Sequence, residues 1–167
     1  MSGCETIIYP IMSERAIALA EKLRSEGERI VQFFAGLSDA QWQIQMYDHG
    51  AKWKVRGVLE HLIVSERQLQ TLFEMIVRTG VGAPDGMDVD VLNLERTGTL
   101  CPLSYTDMLR DYTLTREQTI EFTRVLTDEQ LGFKARHPAI GISALEDQLK
   151  LVYLHHQMHM RDVKKAL

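Results

Sequence analysis

Apolar residues recur along most of this chain at steps of three and four, and no stretch alternates apolar and polar positions over the length of a strand. In residues 13–37 the period falls on Ile17, Ala20, Leu23, Ile30, Phe33 and Phe34. Gly27 fills the one gap, Ser13-Glu14 stands at the start, and Gly36 sits where a C-cap glycine belongs. Ser38-Asp39 then opens a short turn carrying Trp42, followed by the polar loop YDHGAK with Gly50. A second helix is predicted from Trp53 to about Arg78, stopped by Thr79-Gly80, with a broad face of Val55, Val58, Leu59, Leu62, Ile63, Leu69, Leu72, Phe73 and Ile76. Ser104 to about Leu126 forms the third, its apolar side drawn from Tyr105, Met108, Leu109, Tyr112, Ile120 and Phe122, with Val125 near its end. Ser104 and Asp107 have capping-box spacing, with Asp in place of Glu. The last helix is capped by Ser143 and runs to the end of the chain through Leu145, Leu149, Val152, one of His155 and His156, His159 and Val163.

Between these helices lie two connections. Val81 to Pro102 is the longest non-periodic segment, with Pro84 and the acidic run DGMDVDVLNLE, and reads as a crossover loop holding a short helical turn. Residues 127–142, TDEQLGFKARHPAIGI, are rich in turn signals. The expected fold is all-α: one domain over residues 1–167, a four-helix bundle with a long crossover loop and a loose lead-in at residues 1–11.

The candidate chemistry is histidine. His155 and His159 are one helical turn apart, about 400° of rotation, so both lie on one face. His61 lies three residues after Val58 and so points toward the bundle. Three imidazoles converging from two helices would bind one metal ion and leave a position open, the pattern of catalytic sites. The plainer reading makes them half-buried histidines hydrogen-bonded to their neighbours. Spacing also allows a pair of His156 and His159, and does not choose between the two pairs. Glu60 and Glu66 flank His61 and could accept an imidazole N–H, although helix glutamates are usually solvated. Tyr153, Met158 and Met160 read as packing residues, His49 and His137 as loop residues at the surface or rim, and Cys101 as structural or as an approach from the crossover loop.

Composition narrows the classes. A net charge of −4, with no basic run, argues against sequence-independent nucleic-acid binding. Two cysteines, Cys4 and Cys101, are too few for a disulfide framework and lack metal-type spacing. With no basic and apolar leader at the start and no apolar run of membrane-spanning length, the chain reads as cytoplasmic. There is no GxSxG or phosphate-binding glycine loop.

The segment Trp53-Lys-Val-Arg-Gly-Val-Leu-Glu-His61-Leu-Ile, with His155, His159 and Val163 at the far end, resembles the DinB/YfiT-like superfamily of metalloenzymes over nearly the whole chain. Weaker echoes are LSDAQW, Asn93 and HPAIG; Lys54 departs from the Ser or Thr usual after the tryptophan. The resemblance implies a four-helix bundle, often a homodimer, and a divalent metal, commonly zinc or nickel. Imidazole ligation would also suit iron. It implies His61, His155 and His159 as the ligands, with His156 outside the set. It further implies a metal-dependent reaction on a small molecule, such as transfer of a low-molecular-weight thiol or a related hydrolysis. No residue is singled out as catalytic. The alternative is a non-catalytic metal-binding or stress-response bundle in which an ion locks the helices.

Overall fold

The computed structural model describes residues 13–46, 53–87 and 103–167. The lead-in, the loop carrying His49, and the part of the crossover carrying Asn93 and Cys101 lie outside the described residues.

Most of the helices begin where a side chain satisfies a free backbone N–H of the first turn, and they end where a backbone N–H closes the last. Helix α1 (Glu14–Ala35) starts because the Ser13 hydroxyl accepts the Ala16 N–H at 3.1 Å, and it ends at Gly36. Ser38 and Gln41 form a reciprocal capping box on the short α2 (Asp39–Trp42). Helix α3 (Val55–Thr79) begins two residues later than its sequence predicts. Trp53 stands outside it and Lys54, in extended conformation, is the cap residue. Gly80 stops α3 by entering the left-handed region at φ 71°, while its N–H bonds the Ile76 carbonyl. In α4 (Tyr105–Arg124) Ser104 caps the Asp107 N–H, as the spacing suggested.

The turn-rich connection after α4 holds more structure than its sequence predicts. Thr127 and Gln130 build a second capping box on α5 (Asp128–Leu131). Then β1 (Lys134–His137) and β2 (Gly141–Ala144) pair antiparallel, from Lys134 opposite Ala144 to His137 opposite Gly141. The expectation of no strand is therefore corrected: two strands of four residues are too short to show alternation. Ser143 lies in β2 rather than at a helix cap. Ala144 takes the N-cap position of α6 (Leu145–Ala166) without a side-chain bond, and the Leu145 N–H instead bonds the Phe133 carbonyl at 2.9 Å.

The four long helices form a bundle, with α1 and α3 each packed between α4 and α6. Of these four neighbouring pairs, α3 and α6 pack least closely. The apolar core comes in two parts. One gathers Leu19, Leu23, Leu72, Phe73, Ile120, Leu149 and Val152; the other gathers Ile30, Phe34, Val58, Leu62, Met108, Tyr112 and Val163. Ile17 and Val125, predicted to face inward, are exposed, and Ala16 and Leu19 take the inward face of α1. Between the two clusters each long helix presents something other than an aliphatic side chain. These are Gly27 on α1, Glu66 on α3, Arg116 and Thr119 on α4, and His156 and His159 on α6, with both glutamate and arginine buried.

Candidate metal centre

His61, on α3, and His155 and His159, on α6, meet where those helices face one another. His155 Nε2 lies 3.2 Å from His61 Nε2 and 3.0 Å from His159 Nε2. The three rings stand nearly edge to face, at interplanar angles of 85°, 73° and 80°. One ligand atom from each lies within 4.8 Å of the others. Four donors placed tetrahedrally at about 2.0–2.1 Å from a zinc ion would be about 3.3 Å apart, close to the observed spacing.

Hydrogen bonding does not account for this convergence. A ring nitrogen has one in-plane site, holding either a proton or a lone pair. His155 Nε2 therefore makes at most one good bond, yet faces two other ring nitrogens. Three lone pairs aimed at one cation would satisfy all of them together. The rings are also in the protonation state a metal needs. Burial first, then the neighbouring imidazoles, pushes His61 down to about 2 and His155 to about 3. Burial lowers His159 too, with the Asp162 charge acting in the opposite direction.

Two local features position His61. Trp53, just ahead of α3, folds back and stacks on the imidazole, with ring centroids 4.6 Å apart and 28° between planes. Gly57 makes room for that fold, because a Cβ there would lie 3.2 Å from the Trp53 Cβ.

His156 is turned elsewhere. Its Nδ1 accepts from Arg116 Nη2 at 2.7 Å and lies 3.0 Å from the Tyr112 hydroxyl. Its Nε2 faces Glu66 Oε2 at 3.7 Å. The pair left open by spacing is thus resolved geometrically: His155, not His156, shares a face with His159 and meets His61. Burial, then the Arg116 charge, holds His156 well below its ordinary value, so it is neutral.

Glu66 is not a solvated helix glutamate. It is 1% exposed, pairs with Arg116 Nη2 at 3.0 Å and accepts the Thr119 hydroxyl at 2.6 Å. Burial pushes its carboxyl up, against the lowering effects of Arg116 and Thr119. Glu60 is buried as well, at 3%. Sequence reasoning missed Arg116, whose position in α4 reads as a surface charge. The one usable signal was Gly27: a Cβ there would come within 2.8 Å of Arg116 Cγ, so the gap in the α1 pattern is the groove through which the arginine side chain passes.

A cavity of about 1380 Å³ opens beside the three histidines. His61 and His155 form part of its wall, together with Leu72, Met75, Leu151, Leu154 and Met158. The first helix contributes Phe33 and Arg29, and the described start of the crossover contributes Pro84 and Met87. His137, expected at the surface or rim, is on β1, 4% exposed, with its ring in the same wall. That correction follows from the hairpin, which docks through the Ala83 N–H bond to the Arg136 carbonyl at 2.8 Å.

A sequence profile of the DinB superfamily matches residues 22–163, and the chain belongs to that family. Among solved structures it resembles YfiT from Bacillus subtilis, described as a probable metal-dependent hydrolase with an unusual four-helix bundle topology. The TM-score is 0.68 at 20% sequence identity, over 97% of this chain and 91% of that one. At that identity the likeness speaks for the fold. No curated protein matches the chain. Among the described residues, no helix is long and apolar enough to cross a membrane.

Proposed function

We propose that this protein is a metal-dependent enzyme acting on a small molecule, with His61, His155 and His159 holding one divalent ion. The observation that carries this reading is the convergence of three neutral imidazoles, His61 and His159 buried and His155 half-buried, beside an open cavity. A structural metal site closes its coordination with protein side chains; three ligands beside a cavity leave room for an exchangeable partner. The description of YfiT as a probable metal-dependent hydrolase supports the same direction.

Zinc or nickel suits the imidazole set, and iron is chemically compatible. The chemistry such an ion supplies is Lewis acidity, which makes water or a thiol a stronger nucleophile at neutral pH. The chain's own part is to fix the ring orientations through Trp53 and helix packing, to keep the imidazoles unprotonated, and to provide a largely apolar cavity. Within this class the finer reading is transfer of a low-molecular-weight thiol to an electrophile, with hydrolysis as its close relative. Both use the same open position.

Elemental analysis of untagged protein tests the site. Wild type purified without chelators is expected to carry about one divalent ion per chain, as a mononuclear three-ligand site requires. A His61→Ala/His159→Ala variant should carry none. No metal in wild type after incubation with zinc and with nickel would remove the enzyme reading. A thiol-dependent shift in the visible spectrum of the cobalt form would favour thiol chemistry over hydrolysis.

A further inference from the structure

His137 is not one of the three candidate ligands, yet its surroundings are those of a binding group. Its Nδ1 accepts the Ala139 N–H at 3.1 Å, a bond internal to the β1–β2 turn. A backbone N–H can only donate, so Nδ1 carries no proton, and the neutral ring must carry it on Nε2. Burial holds His137 down at about 4, so the neutral form is the one present at neutral pH. That Nε2–H is buried and has no hydrogen-bond partner among the described residues. A donor removed from water and left unmade is costly, and buried polar groups in folded proteins nearly always have partners.

The location suggests where a partner could come from. The His137 ring stands in the wall of the cavity that also exposes His61 and His155. It is near enough to His155 that a proton on one opposes a proton on the other. Most of this wall is apolar and partly open to solvent: Leu154 is 49% exposed and Met158 41%, beside Leu72, Met75 and Leu151, while Arg29, Gln68, Arg161 and Lys164 add polar and charged groups. An acceptor entering the cavity would therefore find mostly apolar walls, the fixed neutral donor of His137, and His61 and His155.

We propose that His137 is a substrate-binding residue whose Nε2–H donates to the oxygen of an apolar molecule bearing a carbonyl or carboxylate group. This rests on the proposed function for the neighbourhood of the metal, but the hydrogen bond itself requires only the cavity and the turn. The turn bond presets the tautomer, so the donor is oriented before the ligand arrives. Specificity then has two parts: the aliphatic wall selects the body of the molecule, and His137 selects and orients its oxygen.

The test uses octanoate and acetate as probes, with binding followed by calorimetry on the full chain, both metal-free and zinc-loaded. Two substitutions separate a binding role from a structural one. His137→Gln places an amide N–H near the position of Nε2 and gives up the Nδ1 acceptor. His137→Asn keeps an acceptor near the position of Nδ1 and gives up the outer donor. If the donor binds ligand, Asn should weaken octanoate binding about tenfold, the value of one hydrogen bond, while Gln stays within about threefold of wild type. If His137 only holds the turn, the order reverses or both variants fall equally, and the proposal is overturned. Wild-type protein that fails to bind octanoate in either form also overturns it. Octanoate should bind at least tenfold more tightly than acetate, as buried methylenes require; equal binding would overturn the apolar class. Zinc content measured on the same samples keeps the two readings apart. Protein that takes no zinc yet binds octanoate in a His137-dependent way would end the metal reading and leave this one standing.

Discussion

At the residue scale, the decisive fact about the site is that a histidine's direction matters more than its presence. His155 and His156 are adjacent, but about 100° of helical rotation separates them. One ring meets His61 and the other meets Arg116 and Glu66. The Glu66–Arg116 pair yields the sharpest stability prediction. Glu66→Ala would leave a buried guanidinium without its carboxylate, at a cost of about 3–5 kcal/mol. Replacing both members together, Glu66→Met with Arg116→Met, should cost much less, since no unpaired charge remains. Urea unfolding of the two variants checks this, and equal losses would mean that Arg116 finds another partner when Glu66 is removed. The pair was not legible in the sequence. Its members stand 50 positions apart, and each reads alone as an ordinary surface charge on a helix.

At the scale of elements, the termini were readable because caps are local. Ser13, Ser38, Ser104 and Gly80 act where their neighbours place them, through hydrogen bonds spanning three or four residues. Gly80 gives a clean case. A Cβ there would meet nothing within 4 Å, so a substitution is opposed only by its positive φ. Gly80→Ala should therefore cost about 1–2 kcal/mol, the penalty of the left-handed region for an L-residue. It should lower the urea midpoint without altering metal content. Ser143 shows where local reasoning stops: it has the chemistry of a cap, but β1 pairs it with Ala135 and moves the helix start past it. The hairpin itself was hidden because strands of four residues carry too few positions to establish a period.

At the scale of the whole molecule, a polar layer crosses the bundle between two apolar clusters, and its histidines tie stability to pH. Unfolded histidines titrate near 6.5, whereas His137, His155 and His61 in the folded chain sit at about 4, 3 and 2. Below 6.5 the unfolded chain thus binds more protons than the folded one, so stability rises with pH in that range. The contribution is complete above pH 6.5 and is lost progressively as pH falls toward 4 and beyond. Metal-free protein should melt at clearly lower temperature at pH 5 than at pH 7.5. A melting temperature flat across that interval would show that these rings reach water in the folded state. Zinc at pH 7.5 should raise the melting temperature, because it binds the folded arrangement and not the dispersed one.

The sequence by itself determined the four long helices, most of their ends, and the single face shared by His155 and His159, because periodicity and capping act over a few residues. Only the tertiary structure decided that α3 brings His61 to that face, that His156 turns into a buried charge layer, and that a hairpin carries His137 to the cavity wall. Those outcomes depend on the relative rotation and height of helices far apart in the chain. Such registers are set by packing the whole core at once, where Gly27 admits Arg116 and Gly57 admits Trp53, and no local pattern records them.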